Sequence, residues 1–140
     1  MRILLAVDDS EVGAAVVRRV AKLAKGLKAA PELRVLNVVP RLSKAAEKEF
    51  GKAGPGRYYD AQWEAALGKV RPLLKRTRLA FSEQRVLGDV VPALLAEAKA
   101  AKTDMIVIGS HGKGALKGLL LGSVTQKVVA LSPVPVLVVN

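Results

Sequence analysis

Four short apolar runs, at 3–7, 33–39, 105–108 and 134–139, and a weaker, more polar one at 81–87 recur along the chain, and every interval between them contains apolar residues at helical spacing. Runs this short, bounded by turn residues, read as buried strands. The first, Ile3-Leu4-Leu5-Ala6-Val7, opens into the polar turn Asp8-Asp9-Ser10. Val12, Val16, Val20, Leu23 and Leu27 then share a helical face while Arg18, Arg19, Lys22 and Lys25 point to solvent, and Gly26 with Pro31 ends that helix.

The stretch 41–60 breaks the pattern. Gly51, Gly54, Pro55 and Gly56 among many charges predict a long loop or flap. Helical spacing resumes at Trp63, Ala66, Leu67, Val70 and Leu74, with Pro72 expected to kink or divide the helix. Polar Ser82-Glu83-Gln84-Arg85 assigns the run 81–87 to a sheet edge. Asp89 is placed to cap a helix with Pro92 in its first turn and Val91, Leu94, Leu95 and Ala98 on its core face. Ser123-Val124-Thr125-Gln126 matches a capping box, so a last helix starts near Ser123. Pro135 argues that the final run begins there or lies at an edge.

Strict strand–helix alternation resolves as an α/β fold, an open five-stranded parallel sheet with right-handed crossovers and helices on both faces. The 140 residues form one domain, 1–140, and a composition 51% hydrophobic but 4% aromatic suits a Val/Leu/Ile/Ala core of that kind. Ligands of such sheets sit beyond the carboxyl ends of the strands, where strand order reverses. The Asp8 turn and the loop after residue 108 are expected to border that crevice.

Composition excludes several functions. Without cysteine there is neither disulfide nor thiol chemistry, which fits a reducing compartment. Asp8 and Asp9 interrupt the apolar start before a signal-peptide core is complete, and no run approaches the ~18 apolar residues of a membrane span. A soluble cytoplasmic protein with no membrane partner is expected. A net charge of +11 favours anionic company without choosing it. The basic residues from 69 to 78 read as a solvated helix face, so nucleic acid is not an expected partner.

Five of the chain's twelve glycines fall in GSHGKGALKGLLLGS, 109–123. Glycine concentrated this way is destabilising unless something must approach the main chain. The segment is no P-loop, because Lys113 is followed by Gly114 and Val107 stands where the first glycine belongs. Nor is it a dinucleotide fingerprint, since Gly118 comes one residue late and the loop follows the fourth strand. What remains is Gly109-x-x-Gly112, nine residues, then Gly122-Ser123 at a helix start. Gly109 and Gly112 can bring backbone N–H groups to an oxyanion, and Gly122, Ser123 and Val124 add helix-start N–H donors and a hydroxyl. Two such clamps suit a polyphosphate. Lys113 and Lys117 either strengthen it or are solvated, and the lone His111 reads as a phosphate neighbour rather than a general base.

With these motifs the chain resembles the universal stress protein family, from 3–10 through Val107-Ile108-Gly109-Ser110-His111-Gly112 to Pro133-Val134-Pro135-Val136-Leu137-Val138-Val139. Its glycine pattern is that of the ATP-binding branch. The resemblance implies a Rossmann-like sheet of order 3-2-1-4-5 and phosphates held by Gly109, Gly112, Gly122, Ser123 and Val124, near His111. It also implies a base or ribose contact from Asp8 beside Ala6 and Val7, with Val38 and Ile108 walling the adenine, and a homodimer joined through the last strand. The expected function is that of a nucleotide-dependent stress-response regulator with little or no catalysis, presenting a nucleotide-sensitive surface to a protein partner. The alternative is a slow ATP hydrolase or phosphotransferase with Mg²⁺ bridged by Asp8 or Asp9 and the phosphates. A nucleic-acid-binding module, resting on charge alone, is the least expected reading.

Overall fold

The computed structural model describes residues 1–51, 54–112 and 121–140. In chain order the elements are β1 (Arg2–Ala6), α1 (Val12–Ala24), β2 (Glu32–Val39), α2 (Lys44–Glu49), α3 (Gly54–Thr77), β3 (Phe81–Leu87), α4 (Val90–Ala100), β4 (Met105–Gly109), α5 (Ser123–Leu131) and β5 (Val136–Val139). The strands form one parallel sheet of order β3-β2-β1-β4-β5, with β3 and β5 at its edges. The expected topology is therefore the observed one.

Strands buried on both faces explain the unbroken apolar runs. On one face Ile3, Leu5, Leu33 and Val35 pack with Val16, Val17 and Val20 of α1 and Leu67, Val70 and Leu74 of α3. On the other, Leu4, Leu36, Ile106 and Ile108 pack with Leu94 and Ala98 of α4 and Val128 of α5.

The segment 41–60 differs from the expected loop: its described part contains α2 and the first turns of α3. Ser43 caps α2 by accepting the Ala46 N–H at 3.2 Å. This helix buries no side chain, so it has no apolar stripe to betray it in the sequence. Pro55 lies in the first turn of α3, where proline starts helices as readily as it stops them elsewhere. Aromatic packing holds the segment down. Tyr59 is buried, accepts the Leu42 N–H at 2.9 Å, donates to Glu47 at 3.3 Å, and its ring lies 6.2 Å from that of Trp63.

Pro72 does not divide α3, which runs unbroken through it. It lies on the exposed side of the helix, away from the core residues Val70 and Leu74. Asp89 occupies the N-cap of α4, yet its side chain makes no cap hydrogen bond, contrary to expectation.

The edge strand β3 is fastened to α3 by charge. Arg71 meets both Glu83 oxygens at 2.7 and 2.9 Å and Glu64 at 3.1 Å, while Arg85 reaches Glu64 at 2.6 Å. Hydrogen bonds from Arg71 hold the carboxyls of Glu83 and Glu64 below their ordinary 4.5. A depressed carboxyl pKa contributes stability that is present above 4.5 and lost as pH falls through the folded-state value. Glu83→Gln should therefore cost about 1 kcal/mol at pH 7, a modest figure for a partly solvated pair. In urea melts the gap to the unaltered protein should close at acid pH. A gap independent of pH would refute the electrostatic account.

Candidate functional site

Where the strand order reverses, between β1 and β4, their carboxyl ends open into a cavity of about 580 Å³. That volume falls within the range of small-molecule sites. Its wall brings together Ala6, Val7, Asp8, Val38, Ile108, Gly109, His111, Gly112, Gly122, Ser123 and Val124, the residues expected around a nucleotide, but not Asp9, the other candidate for Mg²⁺. It also includes Val12, Gly13 and Val16 of α1, Leu36, Pro40, Val90, Leu94 and Thr125, which the sequence reading missed. Most of these carry core periodicity, and nothing in the sequence says at which turn a core face becomes a cavity wall.

The β1 end is anchored first. The Val7 N–H donates to the Leu36 carbonyl at 3.0 Å, and its carbonyl accepts the buried Asn37 Nδ2 at 2.7 Å. Asp8 then turns back on its own chain: one carboxylate oxygen accepts the Ser10 N–H at 3.1 Å and a short hydrogen bond from the Ser10 hydroxyl. Such an Asx turn fixes the side chain locally. The other oxygen faces Gly112 so closely that a Cβ there would collide with it. Gly112 is thus glycine because the Asp8 carboxylate occupies the space.

Gly109 is held to glycine by close approach as well. A Cβ at Gly109 would lie 2.6 Å from Val12 Cγ1 and 3.1 Å from the His111 carbonyl oxygen. Gly109 ends β4, and the following Ser110 N–H donates to the Val139 carbonyl at 2.7 Å, so the sheet rather than an anion uses this amide. Gly122 is extended (φ −69°, ψ 157°) and donates its N–H to the Ser110 carbonyl at 2.7 Å. This corrects the expected donor set: Gly122 does not offer its amide to the cavity.

The donors at this end belong to the next three residues. Gln126 N–H takes the Gly122 carbonyl as the first helical bond of α5, so the amides of Ser123, Val124 and Thr125 have no intrahelical acceptor. The capping box does not form either. Gly122 is the N-cap, and Gln126 Nε2 donates to the Leu121 carbonyl at 2.8 Å, so the Ser123 hydroxyl is not spent as a cap. The Thr125 hydroxyl fastens α5 to β4 through the Gly109 carbonyl at 2.7 Å.

His111 Nδ1 and the Ser110 hydroxyl lie 3.0 Å apart, but Ser110 is 2% exposed, which withdraws that hydroxyl from any nucleophilic role in the cavity. Among the described residues no three His, Cys, Asp or Glu side chains gather as a metal site. Lys113 and Lys117 lie outside the described residues.

The open parallel sheet, with an apolar cavity at its switch point and helix-start amides on one rim, defines an α/β protein of the doubly wound class. The chain belongs to the universal stress protein family, whose family model matches residues 1–140. Over 99% of its length it superposes on protein MJ0577 of Methanocaldococcus jannaschii at 28% identity, with a TM-score of 0.79 and 94% of that chain covered. A universal stress protein in complex with cAMP (24% identity, TM-score 0.68, covering all of this chain and 96% of the other) shares the fold. So does one from Archaeoglobus fulgidus in complex with dAMP (20% identity, TM-score 0.70, covering all of this chain and 98% of the other). The chain spans 49% and 39% of the length of the first two curated relatives it matches. Among the described residues no helix is long and apolar enough to cross a membrane.

Proposed function

We propose that the protein binds ATP in this cavity and acts as a homodimeric, nucleotide-dependent regulator with little or no catalysis. The observation that carries the reading is the convergence of the β1 turn, the β4 loop and the start of α5 on one cavity. Val38, Ile108 and their apolar neighbours wall the end suited to adenine, and Asp8 with Ala6 and Val7 stands where a base or ribose contact is needed. The amides of Ser123 and Val124, the Ser123 hydroxyl and the backbone at His111 and Gly112 receive the phosphates. Relatives solved with cAMP and dAMP support adenine nucleotides as the ligand class. In the alternative reading of slow hydrolysis, Mg²⁺ would be bridged by Asp8 or Asp9 and the phosphate oxygens.

Equilibrium dialysis with labelled ATP should show saturable retention between micromolar and millimolar concentrations, tighter than for AMP because the helix-start amides meet the outer phosphates. No retention across that span would sink the reading.

The dimer is proposed through β5. Ile106 N–H donates to the Pro135 carbonyl and Ser110 N–H to that of Val139, so odd-numbered residues of β5 face β4. Val136 and Val138 therefore turn their main-chain groups to the open edge. Light scattering should give a dimer for the unaltered protein and a monomer for Val138→Pro, which removes an outward N–H and leaves the inner ladder intact. A Val138→Pro dimer would place the interface elsewhere.

A further inference from the structure

The fold gathers charge that the sequence leaves scattered. Helices α1 and α3 lie on the same sheet face and, as crossovers between parallel strands, run in the same direction. They touch where a Cβ at Gly13 would meet Val70 Cγ1 at 3.1 Å. Counting equally along both helices from that contact brings Arg18 and Arg19 level with Lys75 and Arg76 near the α3 end, while Lys22 and Lys25 extend beyond it.

Arg18, Arg19, Lys22 and Lys25 are exposed on α1, with Lys28 just beyond, and Lys75, Arg76 and Arg78 are exposed at the end of α3. Among the described residues none of these eight forms an ion pair, whereas Lys69, Arg71 and Arg85 elsewhere in the layer all do. No Asp or Glu occurs in 12–31 or 65–82. A third of the chain's 23 Lys and Arg thus stand unneutralised on one surface, at the amino ends of the strands and away from the cavity.

We infer that this face binds the phosphodiester backbone of duplex nucleic acid without reading its sequence. The dimensions fit. Arg18 to Lys25, the C-cap, spans about 10 Å along α1, and the last turn of α3 stands ~8–10 Å away beside Arg18 and Arg19. A duplex carries one negative charge per ~1.7 Å of its axis, so this length faces about six, of which roughly half are on the near side. Backbone contact requires no aromatic stacking platform, and the α1–α3 rows hold none. An acidic membrane is the less suitable anion. The exposed large apolar residues Met1, Phe50, Val129 and Leu131 lie off these rows, and the apolar face of α1 is spent in the core. The sequence-based expectation of a merely solvated face did not include the partner helix beside it.

The test is fluorescence anisotropy with a labelled duplex of arbitrary sequence, DNA in one arm and RNA in the other, from about 50 to 200 mM salt. About three contacts predict a log–log slope near −2.7, a loss of about fortyfold in affinity over that range. Arg18→Gln with Arg19→Gln, and separately Lys75→Gln with Arg76→Gln, should each weaken binding about threefold or more at the lowest salt and take about 1 off the slope. Lys44→Gln with Lys48→Gln, on exposed α2, should change neither. Binding in one arm alone identifies the duplex concerned and supports the inference. It is overturned by no binding near 50 mM salt, by binding unmoved by both altered pairs, by displacement of the duplex with ATP, or by selective binding of phosphatidylserine vesicles instead. Apart from displacement by ATP, these results are independent of whether ATP enters the cavity.

Discussion

Gly122→Val should lower ATP affinity about a hundredfold and leave the sheet intact. The position is extended, so valine can adopt its backbone angles, and the effect comes from space. A Cβ at residue 122 would already lie 3.4 Å from the Ser110 carbonyl oxygen and 3.6 Å from His111 Cα. Valine adds two carbons to a gap already filled, and relief requires α5 to move away from the 110–112 segment. Overpacking of this kind costs about 1–3 kcal/mol. Displacing the α5 start also separates the Ser123 and Val124 amides from Gly112, which breaks the phosphate site in half. Losing one or two charge-assisted hydrogen bonds, at about 1.5–3 kcal/mol each, brings the loss near 2.7 kcal/mol or two decades. Gly122→Ala separates the causes, since its single carbon sits at ordinary contact distance and should cost less than about threefold. The readout is ATP retention beside a thermal melt. Unchanged retention by Gly122→Val, with the fold preserved, would move the ligand out of this cavity.

The glycine pattern was legible as a spacing, yet its physical content was not. The sequence suggested that Gly109, Gly112 and Gly122 free backbone amides for an anion. In the structure Gly109 and Gly112 are small because Val12 and the Asp8 carboxylate press against them, Gly122 has room for a single Cβ beside the Ser110 carbonyl, and two of the amides are consumed by the protein itself. Those neighbours come from sequence positions up to 104 residues away, and no local pattern encodes such proximity. The strands were readable for the opposite reason: burial on both faces of a parallel sheet writes itself as continuous apolar runs. Helix α2 was invisible because a polar helix that buries nothing has no period, and the start of α3 was masked by Gly54-Pro55-Gly56, whose residues signal helix starts and loops alike.

Asn37→Asp should cost about 3–5 kcal/mol at pH 7, and nearly all of it should return by about pH 4. Asn37 is 4% exposed, donates Nδ2 to the Val7 carbonyl at 2.7 Å, and leaves its Oδ1 buried without a partner. An ionised aspartate would set a second acceptor against the Val7 carbonyl and bury a charge whose cross-strand cation, Arg85, is already engaged by Glu64. A protonated aspartate can donate its O–H to that same carbonyl and restore the bond. The folded state therefore holds the proton more tightly than the unfolded chain, whose aspartate titrates near ~3.9. A raised folded-state pKa makes stability fall as pH rises between the two values, so the penalty is absent below the unfolded pKa and complete above the folded one. Asn37→Leu supplies the contrast: it deserts the Val7 carbonyl but also removes the orphaned oxygen, for about 1–2 kcal/mol at every pH. Because the Val7 carbonyl immediately precedes Asp8, ATP affinity of the Asn37→Asp protein should recover along the same pH curve as its stability. Urea melts from pH 7 down to 4, referenced at each pH to the unaltered protein, measure the difference. A penalty that stays constant with pH would mean that the Asn37 amide does not hold the end of β1.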